Sequence, residues 1–107
     1  MKYQVVLIQE AEDDLFDIYK YICEHDTLDS ANYVLSKIEE LCFSLHEMPT
    51  RGHFLPELDA INIRNYREVH FKPYRVIYEI EEKKVFIHCI LDSRRDLRDL
   101  LERRLLR

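Results

Sequence analysis

The sequence predicts an α+β domain in which an N-terminal strand and a helical hairpin precede a three-strand antiparallel meander and a short C-terminal helix. Two observations carry this prediction. Apolar residues recur at helical spacing over two long segments of the first half of the chain, and they alternate with polar residues over short segments of the second half. With 107 residues, 47% apolar residues and one glycine, the chain is expected to form a single domain over residues 1–107.

The N-terminal half predicts one strand and two helices. Residues 3–8 are rich in β-branched and aromatic side chains, which favours a strand that needs a partner in the later hairpin. Apolar side chains then follow helical spacing over residues 10–24 and again over residues 28–46, with a helix cap offered within His25-Asp26-Thr27. Because the connection is short, the two helices are expected to be antiparallel and to cover one face of the sheet.

Residues 66–91 are expected to form the meander. The central strand has four apolar residues on one face, namely Tyr74, Val76, Tyr78 and Ile80. The charged link over residues 81–84 predicts a hairpin turn to the next strand. A register that keeps the apolar residues together pairs Ile80 with Val85, Tyr78 with Ile87 and Val76 with Cys89, and on the other face Arg75 with Ile90 and Ile77 with His88.

The opposite face of the meander is expected to carry the functional groups and to be left uncovered by this chain. A turn at Lys72-Pro73 suits proline, which needs no ladder N–H there, and it aligns the preceding strand with Arg75. The side chains predicted to share this open face are Glu68, His70, Arg75 and His88. Arg75 is expected either to contact an anion or to pair with Glu68 or Asp92, and His88 is expected to be a partly covered structural histidine.

Two further segments flank the strands. Residues 50–62 contain glycine and proline without a clean period, which predicts a loop whose Pro56-Glu57-Leu58 approaches the polar sheet face. After the strands, leucines at helical spacing predict a short helix with Asp96 as its cap. Residues 94–107, the basic segment, hold six arginines and are expected either to be a solvated helix face or to bind a partner.

Charge and cysteine content argue against several classes of protein. The net charge of −5 divides into −9 over residues 1–60 and +4 over residues 61–107, which argues against strong nonspecific binding of nucleic acid. The three cysteines are unclustered and the five histidines are scattered, so we expect reduced, packed cysteines, no metal and no cofactor. The first apolar run is too short for a signal peptide, so a cytoplasmic protein is expected.

Catalytic motifs are limited. The sequence contains no glycine-rich phosphate loop, no zinc-protease motif and no nucleophile elbow. The remaining enzymatic option is metal-free RNA cleavage through the 2′-hydroxyl, which requires a base, an acid and cations around the phosphorane. The candidate acids, bases and cations are Glu57, Glu68, His70, His88, Arg75, Arg94 and Arg95. The alternative is that these are ordinary polar residues on a sheet face.

Several short motifs occur in order along nearly the whole chain. They are Ala11-Glu12, Asp14-Leu15, Ile18-Tyr19, Tyr21-Ile22, Pro49 with Gly52, Pro56-Glu57-Leu58, Arg67-Glu68, Pro73-Tyr74-Arg75-Val76-Ile77-Tyr78-Glu79 and Arg94-Arg95-Asp96-Leu97. Each motif is weak alone, but their order and spacing together resemble the RelE/ParE family of toxins from bacterial type II toxin–antitoxin pairs. The resemblance implies the order of elements that periodicity predicts independently.

The resemblance implies two alternatives for the target. RelE-like members cleave messenger RNA on the ribosome, and such an endoribonuclease would use Glu57, Arg75, His88 and Arg94 of this chain. ParE-like members inhibit DNA gyrase without known nuclease chemistry. The ParE-like branch is favoured by the acidic net charge, by the absence of a lysine-rich segment before the meander, and by Asp92 where many relatives have histidine.

In the ParE-like interpretation no catalytic residue is assigned, and the basic segment binds the target. The arginines assigned to target binding are Arg94, Arg95, Arg98, Arg103 and Arg104. The implied partners are a cognate antitoxin, in a toxin–antitoxin hetero-oligomer, and DNA gyrase, with the ribosome and mRNA as the alternative. Such a toxin would inhibit growth and stabilise a plasmid. A small non-catalytic binding module is the second alternative function.

Overall fold

The computed structural model describes residues 2–106. The strands are β1 (Gln4–Leu7), β2 (His53–Phe54), β3 (Tyr66–Phe71), β4 (Tyr74–Glu81) and β5 (Lys84–Asp92). The helices are α1 (Gln9–His25), α2 (Leu28–Ser44), α3 (Pro56–Asp59) and α4 (Arg98–Leu105), and a 3₁₀ turn spans Pro49–Arg51. The five strands form one sheet in the order β1-β5-β4-β3-β2. Among these strands, β1 and β5 pair in parallel, and the other neighbouring strands pair antiparallel. Among residues 2–106, no helix has the length and apolar content needed to cross a membrane.

The predicted α+β order of elements is confirmed. The N-terminal strand finds its partner in β5, the helical hairpin follows, and β3, β4 and β5 form the antiparallel meander. Helix α2 ends at Ser44, two residues before its predicted end. Between residues 50 and 62 the structure has β2 and α3 where the sequence predicts only a loop, because elements of two and four residues are too short to show a period.

The helical hairpin covers one face of the sheet, as predicted. Helix α2 is capped by Thr27, whose Oγ1 accepts a hydrogen bond from the Ser30 N–H at 3.0 Å. The buried residues at which the helical hairpin packs against the strands form the first core. Its members are Ala11, Leu15, Ile38, Cys42, Leu45, Tyr74, Val76, Tyr78, Val85, Ile87 and Ile90.

The predicted register of β4 and β5 holds in the half of the hairpin nearest its turn. Ile80 pairs with Val85 and Tyr78 pairs with Ile87, as expected. Beyond these pairs the register shifts by one residue, and the remaining predicted pairs are wrong. The observed pairs are Ile77 with Cys89, Val76 with Ile90 and Arg75 with Leu91.

The shift is a β-bulge at His88. An extra residue on one strand reverses the alternation of the residues that follow it, so their side chains exchange faces. Ile90 therefore joins the first core, whereas Cys89 and Leu91 turn to the face that carries Arg75. A regular two-residue period, on which the predicted register rests, cannot reveal this exchange.

The Arg75 face of the sheet is covered by the chain itself, so the prediction of an open face is wrong. Helix α4 and the segment around α3 pack their leucines against it and form a second core. Its members are Leu55, Leu58, Ile77, Cys89, Leu91, Leu97, Leu101 and Leu105. Tyr66 also donates a hydrogen bond from its hydroxyl to the Leu105 carbonyl oxygen at 3.0 Å. The apolar stripe of α4 therefore packs against the sheet face that α1 and α2 do not cover.

The single glycine of the chain is placed by a close approach to Tyr78. The Tyr78 hydroxyl donates to the Pro49 carbonyl oxygen at 2.5 Å and accepts from the Gly52 N–H at 3.1 Å. A Cβ on Gly52 would overlap the Tyr78 hydroxyl and would lie 2.8 Å from the Glu68 carbonyl oxygen. Only glycine fits, and this contact fixes the position of β2 beside β3.

Candidate functional site

A buried charged cluster lies on the Arg75 face of the sheet, formed by Glu57, Glu68 and Arg75. Glu68 on β3 accepts from Arg75 Nε at 2.8 Å and from Nη2 at 3.1 Å. Glu57 on α3 accepts from Arg75 Nη1 at 2.7 Å and from Nη2 at 2.9 Å. The guanidinium thus forms two bidentate ion pairs, and Glu57 approaches the sheet as the sequence predicts.

The charged cluster offers no free cation. Arg75 is 7% exposed and Glu68 is 2% exposed, and two carboxylates surround one guanidinium. Burial alone would lower the pKa of Arg75, but the hydrogen bonds to Glu57 and Glu68 outweigh it and raise that pKa. The hydrogen bond from Arg75 likewise lowers the pKa of Glu57. Glu57 is therefore a stabilised carboxylate and a weak base.

The depressed pKa of Glu57 predicts how its ion pair contributes to stability as the pH changes. A carboxyl whose pKa is lower in the folded than in the unfolded chain stabilises the fold above its usual value near 4.5, and loses that contribution as the pH falls. The stability difference between the wild type and Glu57→Gln should be constant from about pH 7 to pH 5 and should shrink below about pH 4.5. Urea unfolding at each pH measures it. A difference that grows on acidification would contradict this assignment.

The two histidines predicted on this face lie in different places. His70 is on β3 opposite Arg75, is exposed, and its Nε2 lies 2.5 Å from Glu68 Oε1. His88 is half-buried at the bulge, with Nε2 3.2 Å from Glu79 Oε1 and its ring edge-on to Tyr66. The structural interpretation of His88 agrees with these contacts.

The basic segment is divided between two environments. Arg104 is half-buried, with Nη2 2.9 Å from Asp14 Oδ2 and Nε 3.2 Å from Glu10 Oε2. Its Nη2 also donates to the His88 carbonyl oxygen at 2.8 Å. Burial would lower the pKa of Arg104, but the hydrogen bond to Asp14 outweighs burial and raises it. Arg104 therefore attaches α4 to α1 and β5.

The other arginines of the basic segment that the structure describes are exposed. Arg94 pairs with Asp92 through Nη2 and Oδ2 at 2.5 Å while remaining 69% exposed. Arg95, Arg98 and Arg103 are exposed as well, and Arg107 lies outside the described residues. Asp96 accepts a hydrogen bond from the Arg98 N–H at 3.2 Å, but the N-cap of α4 is Leu97, so the cap predicted at Asp96 lies one residue before the capping position. Four arginines thus remain accessible around α4.

Comparison with known proteins identifies the family. The family model described as the ParE toxin of type II toxin–antitoxin system, parDE, matches residues 5–97. This chain belongs to the ParE toxin family. The toxin is similar to Toxin ParE3 of Caulobacter vibrioides, with 27% identity over 95 residues that cover 88% of this chain and 90% of that protein.

Two solved structures share the fold of this ParE-family toxin. A chain of the chromosomal ParDE TA system from P. aeruginosa matches with a TM-score of 0.71 at 17% identity, covering 85% of the toxin and 96% of that chain. A chain of the toxin–antitoxin complex RelBE2 from Mycobacterium tuberculosis matches with a TM-score of 0.64 at 20% identity, covering 86% and 92%. Both therefore support the predicted RelE/ParE fold.

The toxin also has a site residue that the sequence reasoning missed. Asp14 accepts a hydrogen bond from the Ile90 N–H at 3.0 Å in addition to its ion pair with Arg104. A signal was available, because Asp14 follows Ala11 by three positions and so faces the sheet side of an amphipathic helix. A carboxylate on that side needs a buried partner.

Proposed function

We propose that this ParE-family toxin inhibits DNA gyrase by protein–protein contact and that a cognate antitoxin neutralises it in a toxin–antitoxin hetero-oligomer in the cytoplasm. The choice of gyrase over the ribosome as the target rests on the burial and ion pairing of Arg75. A nuclease needs an accessible cation next to the scissile phosphate. Arg75 is instead buried and neutralised by Glu57 and Glu68.

The other groups of the nuclease alternative also favour gyrase, because they do not converge on one phosphate. His88 lies opposite Ile77 and Tyr78 in the middle of the hairpin, with its ring turned toward Glu79, whereas Arg94 follows Asp92, which pairs with Tyr74 at the end of β4. His88 and Asp92 are four residues apart on β5, roughly 13 Å at the rise of a strand. This spacing, together with the ion pair of Arg94 with Asp92, does not favour a base at His88 and a cation at Arg94 acting on one scissile bond.

The exposed arginines around α4 are the target-binding surface in this proposal. Arg94, Arg95, Arg98 and Arg103 present guanidinium groups that can pair with carboxylates on a protein partner. Arg104, assigned to the same surface from the sequence, is held by Asp14 and instead positions α4.

An apolar groove between α1 and α2 supports the antitoxin as a partner. It is lined by Leu7, Leu15, Phe16, Tyr19 and Leu35, with Glu12 and Glu39 at its sides. Phe16 is 64% exposed, which is high for a phenylalanine next to other apolar side chains. An amphipathic helix of the antitoxin that bears basic residues beside its apolar stripe would fit this groove.

The combined replacement of Arg94, Arg95, Arg98 and Arg103 by glutamine tests the target surface. Because these side chains are exposed, the fold should be kept, while inhibition of supercoiling by purified gyrase should weaken on the order of tenfold or more, which corresponds to a loss of about 1.4 kcal/mol of binding free energy. The charge-matched control replaces four other exposed basic residues, Lys20, Lys72, Lys83 and Lys84. The control should inhibit gyrase as the wild type does.

Toxicity in cells and messenger cleavage on ribosomes are measured with the same proteins. The wild type and the lysine control should arrest growth, and the arginine variant should not, while none of them cuts ribosome-bound messenger. Messenger cleavage that Arg75→Ala or Glu57→Ala abolishes in a folded protein would replace this proposal with the ribosome-dependent endoribonuclease. Equal loss of inhibition in both sets of variants would show that general charge, not this surface, matters.

A further inference from the structure

We propose that His53, Glu68 and His70 form a binding site for a divalent transition metal, with Zn²⁺ as the best fit, at the β2–β3 edge of the sheet. The sequence analysis expects no metal, and no function assigned above requires one. The three side chains come from two neighbouring strands and point to the same face, because His53 pairs with Glu68 across the ladder and His70 follows Glu68 by two residues.

The distances among the three groups suit a small metal ion. One ligand atom from each residue can be chosen so that all three lie within 4.8 Å of one another. His70 Nε2 is 2.5 Å from Glu68 Oε1, and His53 Nδ1 is 3.7 Å from Glu68 Oε2. Metal–ligand bonds of about 2.0–2.1 Å in a tetrahedron place ligand atoms about 3.3 Å apart. In this geometry the contact of His70 with Glu68 would widen, that of His53 with Glu68 would shorten, and His53 Nδ1 would leave the Phe54 carbonyl oxygen, which now lies 3.3 Å away.

Hydrogen bonds within the charged cluster orient the Glu68 carboxylate as a metal ligand. Arg75 holds both carboxylate oxygens of Glu68 from the buried side, which is the outer hydrogen bonding that orients metal-binding carboxylates. The second lone pair of Glu68 Oε2 faces His53 Nδ1 at 3.7 Å, whereas that of Oε1 becomes available to a metal when His70 Nε2 gives up its 2.5 Å contact and turns to the metal. Glu57 neutralises Arg75, so the guanidinium does not repel a dication with its full charge.

The ligand set selects the class of metal and leaves one position open. Two imidazoles and one carboxylate suit Zn²⁺ and similar ions better than Mg²⁺ or Ca²⁺, which prefer oxygen ligands. The side chains of His53 and His70 are 63% and 38% exposed, so solvent reaches the fourth position. A bound metal would join β2 to β3 directly before α3, the helix that brings Glu57 to Arg75.

Cysteines do not compete for this site. Cys42 and Cys89 are buried, and burial raises the pKa of each thiol to about 12, so neither supplies a thiolate near neutral pH. Cys23 lies on α1, in the helical hairpin that covers the other face of the sheet. The site therefore has a spectroscopic signature of its own, which is tetrahedral Co²⁺ without thiolate ligation.

Titration of chelator-treated full-length protein with Zn²⁺ and Co²⁺ tests the site. Calorimetry should give one Zn²⁺ per chain, and Co²⁺ should show the intense visible bands of a tetrahedral centre without a thiolate charge-transfer band. The variants are His53→Ala, His70→Ala and the double variant, and the control is His25→Ala on α1. Each ligand variant should lose more than the roughly 10–100-fold in affinity that loss of an outer-shell hydrogen bond costs. The control should bind as the wild type does.

Two outcomes would overturn the metal site. One is Zn²⁺ binding of unchanged affinity in the double variant, with circular dichroism showing that the variant is folded. The other is the absence of stoichiometric Zn²⁺ binding by the folded wild type. Because both histidines are exposed, their replacement should leave the fold intact. Gyrase inhibition is measured separately, so failure of the metal site would not bear on the proposed target.

Discussion

Replacement of Arg75 by methionine is expected to lower the free energy of unfolding by about 3–5 kcal/mol, because it leaves buried carboxylates without their counterion. Glu68 is 2% exposed and would keep its charge only at a large desolvation cost. Glu57 would also lose both hydrogen bonds from the guanidinium. Urea unfolding at pH 7 measures the loss, provided that the transition is two-state.

Two controls separate an unpaired charge from a simple change in packing. Glu57→Gln removes the more exposed carboxylate and should cost only about 1 kcal/mol, since the amide oxygen still accepts a hydrogen bond. The double variant Glu68→Met with Arg75→Met removes both members of the most buried ion pair and should recover most of the stability lost in Arg75→Met. A double variant no more stable than Arg75→Met would show that the loss does not come from an unpaired Glu68 carboxylate.

Truncation after Asp96 is expected to unfold the toxin rather than to leave a folded, harmless domain. It removes Leu97, Leu101 and Leu105 from the second core, together with the ion pairs of Arg104. Each buried leucine contributes about 2–5 kcal/mol relative to alanine, so the combined loss is comparable to the whole stability of a small domain, about 5–15 kcal/mol. Circular dichroism and protease resistance measure the outcome.

Single variants give the same test in a graded form. Leu101→Ala should lower the free energy of unfolding by about 2–5 kcal/mol, because Leu101 is fully buried. Leu106→Ala is the matched control, since that leucine is 40% exposed, and it should change stability by less than about 0.5 kcal/mol. A truncated chain that stays folded and resists protease would mean that α4 is not part of the core.

The parts of the fold that could be predicted are those with a sustained period. Helices α1 and α2 each extend over 17 residues, and β4 alternates over most of its length, so their faces follow from the sequence. The second core could not be predicted residue by residue. Leu55 and Leu58 lie in a segment without a period, and the covering role of α4 depends on its position in space.

The candidate site was predictable where neighbours in sequence or across one ladder decide it. The pairing of Arg75 with Glu68 on the neighbouring strand is of this kind. The approach of Pro56-Glu57-Leu58 to the sheet was also predicted, although Glu57 lies in α3, 18 positions from Arg75. The ion pair of Asp14 with Arg104 joins residues 90 positions apart, and no local pattern connects them. His53 and His70 likewise come together through the strand β2, which has two residues and is too short to be recognised from the sequence.

The bulge in β5 has a consequence for aligning this toxin with its relatives. On either side of His88 the strand is a regular ladder, and Ile77 and Tyr78 are adjacent on β4 while their partners Cys89 and Ile87 are not adjacent on β5. A relative that lacks residue 88 would have an unbroken ladder with every later side chain on its present face. If an alignment placed the gap at another position in this strand, residues of the first core would be aligned with residues of the second core. Alignments across the family should therefore place any single-residue gap in this strand at His88.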